Sequence, residues 1–170
     1  MCEQAGLRLL LMMMATVAGN AFAQGDERSA ILTVMQQAFD AVHSQDPDDW
    51  RAIQLAEGTT LSFRPHPDGD TGRLEMRIAR NEAFVADQVR DSHEYVERWT
   101  GNPTVLIRGP IAVVWGEYEF WIDGEFSHCG VDSADLVRMD GKWKIANFMW
   151  TVEKDHCPTY RSGLSDATPQ

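Results

Sequence analysis

After its first two dozen residues this sequence has no apolar run near the ~20 residues a helix needs to cross a bilayer. A membrane-spanning helical protein is therefore excluded. Basic residues are few: 15 Lys and Arg stand against 26 Asp and Glu, a formal net charge of −11 over 170 residues. Such a chain repels phosphate backbones, so nucleic acid is a poor partner and the charge serves solubility. Cysteine is scarce, three in all, and the closed-site spacings that hold zinc are missing. His128-Cys129 and His156-Cys157 are adjacent pairs, but neighbours in a strand point to opposite faces, so neither pair chelates from one strand. "DGDTG" (Asp68 to Gly72) resembles the opening of a calcium loop without its remaining ligand spacing. No metal and no cofactor is expected. There is also no internal repeat, no long low-complexity tract and no nucleophile elbow.

What is present begins with "MCEQAGLRLLLMMMATVAGNAFAQ". Arg8, an apolar run from Leu9 to Ala18 and then Ala21-Phe22-Ala23 have the order of a secretory signal. Residues 1–23 are expected to be removed before Gln24, leaving a periplasmic or secreted chain. Residues 24–157 suit one domain, and 158–170 read as a flexible tail. Cys2 departs with the signal. Cys129 and Cys157 remain as an even pair in a compartment that permits disulfides.

From Glu27 to Ser44 the residues Ile31, Val34, Met35, Ala38, Phe39 and Val42 recur at helical spacing. Asp46-Pro47 suits an N-cap followed by the first position of a second helix, which carries Trp50, Ile53 and Leu55 to a stop at Gly58. Thr59 to Phe63 reads as a strand, Arg64 to Arg73 as a turn-rich loop, and Arg80 to Arg90 as a third helix. Strand-like runs follow near 93–99, 104–108, 111–122, 126–138 and 142–153. Asp123-Gly124 and Asp140-Gly141 each fall between two such runs, a strong hairpin signal. Helices first and antiparallel strands last give an α+β domain with three helices on one face of a sheet.

Several stretches carry a resemblance: "IAVVWGEYEFWIDG" (Ile111 to Gly124), "SHCGVD" (Ser127 to Asp132), "LVR" (Leu136 to Arg138), "WKI" (Trp143 to Ile145) and the late Cys157. With the helix-then-sheet order they resemble the nuclear transport factor 2-like (SnoaL-like) fold, and more closely its secreted bacterial members labelled lumazine-binding. That resemblance implies a curved antiparallel sheet wrapping a conical pocket plugged by three N-terminal helices. It implies no single activity, because the superfamily holds isomerases, dehydratases, cyclases, transport factors and binders.

Two-residue turns set the register by counting. Ile122 opposes Glu125, so Glu119 opposes His128 and Trp115 opposes Asp132; Met139 opposes Lys142, so Asp132 opposes Met149. One face then collects Trp115, Glu117, Glu119, Trp121, His128, Asp132, Trp143, Ile145, Asn147 and Met149. The other collects Tyr118, Phe120, Cys129, Val131, Val137, Phe148 and Trp150 and is apolar enough to pack against a second copy, which points to a homodimer. One bulge swaps the faces beyond it. On this count Trp115, Glu119, His128, Asp132, Asn147 and Met149 line a ligand pocket. His128 and Asp132 are the candidates for general acid/base work, because desolvation moves such groups toward useful pKa values. The leading function is small-molecule binding. The alternatives are an isomerase- or dehydratase-type enzyme using His128 and Asp132, and a dimeric protein-interaction module. A straight ladder sets Cys129 opposite Val152, with Cys157 ~17 Å further along. A Cys129–Cys157 bridge thus requires the chain to turn back near Asp155, whereas two free thiols require nothing.

Overall fold

The computed structural model describes residues 25–68, 73–88, 90–154 and 157. The expected signal, its cleavage point before Gln24 and the tail at 158–170 lie outside the described residues. Helix α1 occupies 25–44 and buries Ile31, Val34, Met35, Ala38, Phe39 and Ala41, one stripe at helical spacing. Gln45, with φ of 54°, ends it. The Asp46 carboxylate then accepts from the Asp48 amide at 2.9 Å, and Pro47 opens α2 (Pro47–Ile53).

The second helix stops at Ile53, earlier than the expected Gly58, and Leu55 belongs to β1 (Gln54–Pro65). Gly58 is there for another reason. A Cβ at that position would lie 1.8 Å from the Ala146 carbonyl oxygen, so its hydrogen lets two backbones touch. Strand β2 (Leu74–Arg80) has no counterpart in the sequence reading, which carries the loop to Arg73 and the next helix from Arg80. It is an edge strand whose Leu74, Met76 and Ile78 are exposed, so no buried alternation marks it. Helix α3 (Asn81–Ala86) is shorter than expected.

The five later strands fall close to their expected places: β3 (Tyr95–Trp99), β4 (Thr104–Arg108), β5 (Ile111–Ile122), β6 (Glu125–Met139) and β7 (Lys142–Thr151). Both Asp-Gly turns have left-handed residues, φ of 52° and 79° at Asp123-Gly124 and 52° and 77° at Asp140-Gly141, which matches the twist of a tight hairpin. Among the described residues the seven strands run β2-β1-β7-β6-β5-β3, with β4 also pairing β5. The short β3 and β4 thus share the far edge of the long β5. All pairs are antiparallel except β1–β7, which is parallel, so the sheet is mixed rather than purely antiparallel. It is curved and unclosed, with the helices on its inner face. Ala112, Val114, Ala134, Leu136, Trp143 and Ile145 form the core with the α1 stripe.

Two bulges decide which residues meet. Between β5 and β6 the register shifts at Ser127, so that Phe120, not Glu119, opposes His128 and Gly116 opposes Asp132. Between β6 and β7 it shifts at Ala146, so that Asp132 opposes Trp150 and Asp135 opposes Asn147. The buried Asn81 amide secures the second bulge. It donates to the Leu55 and Ala146 carbonyls at 2.9 and 3.2 Å and accepts from the Thr60 hydroxyl at 2.8 Å. One side chain satisfies the backbone groups that the irregularity leaves over.

Candidate functional site: a polar-ended aromatic cavity

Beyond the core the inner face opens into a cavity of about 770 Å³. Its aromatic wall is continuous: Trp50 meets Phe84 edge-on at 5.8 Å, Phe84 meets Trp150 at 6.1 Å, and Phe148 lies 5.6 Å from Trp150. Tyr118, Phe120 and His128 close the sheet side. The His128 ring stacks on Phe120 at 4.8 Å and meets Tyr118 edge-on at 5.9 Å. Tyr118 in turn packs over Gly130, where a Cβ would come within 2.8 Å of its ring, and its hydroxyl donates to the Thr151 carbonyl at 2.7 Å.

The bulges therefore correct the expected faces. His128, Asp132, Trp143 and Ile145 point inward, but their inward companions are Tyr118, Phe120, Phe148 and Trp150, the residues expected outside. Four expected pocket residues lie on the outer face instead. Trp115 is 49 % exposed and Met149 42 % exposed. Asn147 donates to Asp135 at 3.1 Å. Glu119 pairs with Arg98, whose guanidinium also lies over Trp121, on the side of the disulfide. Cys129 does point outward. It is bonded to Cys157 with Cα atoms 5.7 Å apart, and its backbone pairs with Glu153, one residue beyond Val152 because of the second bulge.

The polar groups divide by position. Asp132 is 1 % exposed, and neither of its carboxylate oxygens has a hydrogen-bond donor among the described residues. The group it faces is another carboxyl, Glu97, which lines the cavity while Asp132 lies behind it. Two carboxyls satisfy each other only by sharing a proton. Burial holds Glu97 up to about 7. Burial, and then the charge of Glu97, hold Asp132 well above the usual carboxylate range. Burial, helped by the same carboxyls, also raises the Tyr118 hydroxyl. His128 is pushed down to about 4, first by burial and then by the cations Lys154 and Arg64. At neutral pH it is a neutral imidazole, with Nδ1 3.0 Å from the Ser127 hydroxyl.

The sequence reading missed Glu97. Its signal lies in "EYVERW": alternation sets Glu97 on one face between Tyr95 and Trp99, a carboxyl amid aromatics. It also missed the basic groups of the cavity: Arg64 and His66 because the segment from Arg64 to Arg73 reads as a loop, and Lys154 because it follows the last expected strand.

An open mixed sheet around such a cavity, with helices on one face, is the nuclear transport factor 2-like fold, and solved structures agree. One is an NTF2-like superfamily protein from Salmonella enterica serovar Typhimurium, with TM-score 0.60 and 13 % identity over 80 % of this chain and 97 % of that one. Another is an NTF2-like protein from Silicibacter pomeroyi, with TM-score 0.56 and 16 % identity over 76 % and 98 %. A third is an NTF2-like protein from Shewanella baltica, with TM-score 0.54 and 14 % identity over 76 % and 96 %. No protein-family model matches the chain, and no curated protein does. This chain has the NTF2-like fold. At such identities the likeness concerns the fold alone.

Proposed function

We propose that this is an exported small-molecule-binding protein whose ligand occupies the aromatic cavity. The observation that carries the reading is the cavity itself. A concave, mostly apolar space of about 770 Å³ with a few convergent polar groups has the size and lining of a ligand site. Trp50 and Trp150 supply flat contact area, and His128 and Glu97 offer a hydrogen-bond acceptor and a proton donor. The test is extraction of protein purified after export, followed by mass spectrometry and a tryptophan-fluorescence titration. A stoichiometric small molecule that quenches Trp50 and Trp150 on rebinding supports the reading. A clean extract, with no quenching by any compound of a broad metabolite set, refutes it. Export is tested on the same sample: the chain is expected to start at Gln24, and a start at Met1 removes the signal.

The Glu97–Asp132 pair favours a second reading, proton transfer to or from the bound molecule. Glu97 near 7 exchanges a proton at neutral pH, Asp132 behind it is the positioning residue, and His128, being neutral, is a hydrogen-bonding partner rather than an acid. Deuterium uptake next to a carbonyl in a bound ketone, lost in Glu97→Gln while binding persists, is the expected sign. The homodimer also stands as a proposal, through a different set of residues. The outer sheet face exposes Ile111, Val113, Trp115 and Met149. Sedimentation at tens of micromolar is expected to show a dimer, and a monomer there rejects it.

A further inference from the structure

Among the described residues that line the cavity, Arg64 is a cation with a buried donor left unmet. Arg64 ends the inward row Thr60, Ser62, Arg64 on β1. One of its terminal nitrogens donates to the Ser62 hydroxyl at 3.3 Å, but its Nε–H is buried and has no acceptor among the described residues. A carboxylate acts on it from Glu75, its cross-strand neighbour on β2, but that carboxylate is held by Arg77 at 3.2 Å. Burial, and then Arg77, lower the guanidinium's affinity for its proton, as they do for a cation short of compensation. Lys154 lines the same cavity, and both it and Arg64 act on His128 from close by. A chain with net charge −11 thus holds a basic corner inside this cavity.

We propose that the cavity takes an organic carboxylate with an apolar or fused-aromatic body, its carboxylate seated against Arg64 with Lys154 beside it. This rests on the small-molecule-binding reading above and names the class of ligand. The two terminal nitrogens of a guanidinium offer their N–H groups as a planar fork, a geometry that matches a carboxylate with two parallel hydrogen bonds. The aromatic wall then covers the body of the ligand. The neutral His128 ring, between the basic corner and Phe120, is placed to donate to or accept from a polar group near the carboxylate.

The test uses 1-pyrenebutyrate and its uncharged counterpart 1-pyrenebutanol, titrated into the purified protein at pH 7.5 and read by energy transfer from tryptophan. The wild type should bind pyrenebutyrate about 10- to 100-fold more tightly than pyrenebutanol, the range expected of a charge-assisted pair. Arg64→Gln should remove that preference and leave pyrenebutanol affinity within about threefold. Lys154→Gln, at an exposed position, should reduce the preference by a smaller factor; it also tests the basic corner if Arg64→Gln does not fold. Equal affinity of the two probes in the wild type overturns the carboxylate proposal while the cavity still binds small molecules. A preference that survives Arg64→Gln in folded protein overturns the Arg64 assignment. If neither probe binds, the proposal falls, while the binding reading stands or falls on the extraction and metabolite titration above.

Discussion

Asp132→Asn removes a titrating proton from behind the cavity wall, and its effect on folding depends on pH. In the folded chain burial holds Glu97 up to about 7 and Asp132 well above its ordinary range. In the unfolded chain both return to about 4. Between pH ~5 and ~7 the folded state therefore keeps up to two protons that the unfolded state has released, and stability falls as pH rises, by ~1.4 kcal/mol per unit for each proton. His128 opposes this. It is near 4 when folded and ~6.5 when unfolded, so below that value the unfolded chain holds the extra proton and stability rises with pH. The wild-type profile is thus a partial cancellation. The difference between Asp132→Asn and wild type removes the His128 contribution, because that is common to both. It should widen in the variant's favour as pH rises from 5 toward 7, at a rate of up to ~1.4 kcal/mol per pH unit. If the new amide also donates to Glu97 and returns it to its ordinary value, the rate approaches ~2.7 kcal/mol per unit. Urea unfolding at pH 5, 6 and 7, followed by tryptophan fluorescence with the disulfide intact, measures it. Stability profiles for variant and wild type that run parallel across this window refute the shared-proton pair.

Asn81→Ala should destabilise by about 2–4 kcal/mol, because it leaves the Leu55 and Ala146 carbonyls unpaired beside a bulge; a urea midpoint unchanged from wild type speaks against Asn81 as the bulge's anchor. Replacing Cys129 and Cys157 together by Ala opens a loop of sequence separation 28 and should cost about 3–4 kcal/mol on the chain-entropy account. Two titratable thiols in unfolded, never-reduced protein would show the bridge to be absent. His128→Ala, which removes a neutral ring stacked on Phe120, should weaken pyrenebutyrate by about 5- to 150-fold if the ring orients the ligand. Loss of stability with affinity unchanged in the folded fraction assigns the ring to packing instead.

Much of this architecture is legible in the sequence because its signals are local. The α1 stripe, the Asp46-Pro47 start and the two Asp-Gly hairpins are each written within a few residues. What is not legible turns on contacts between distant segments. Gly58 looks like a helix stop, yet it is a glycine because Ala146 presses on it from another strand. The bulges at Ser127 and Ala146 have no sequence mark of their own, and each inverts the facing of everything beyond it. Hence His128 and Asp132 are read correctly as inward while Trp115, Glu119, Asn147 and Met149 are not. The two errors share one cause, a count carried from each turn through an irregularity. The outward Cys129 escapes because it shares a strand with His128 and alternates with it whatever the partner strand does.

The buried carboxyls bear on whether this cavity is merely structural. A fold selected for stability alone has no use for Asp132 opposite Gly116, its oxygens without any donor among the described residues save a proton shared with Glu97. Glu97 by itself, raised by burial from the ordinary carboxylate range to about 7, makes the folded state on the order of 3 kcal/mol less stable above pH 7 than an ordinary carboxylate would. That is a sizeable share of a small domain's net stability of ~5–15 kcal/mol. An Asn at 132 or a Gln at 97 would fill the same space without that penalty. Sites that keep such strain are most often those where the strained group acts, because the same desolvation that destabilises the fold holds the proton ready. In the same cavity Arg64 has the opposite imbalance, a cation with a buried N–H that meets no acceptor among the described residues. A carboxylate-bearing ligand whose far end accepts a hydrogen bond from Glu97 relieves both at once, and binding it should therefore stabilise the protein more at pH 7 than the contact area of its apolar body alone accounts for.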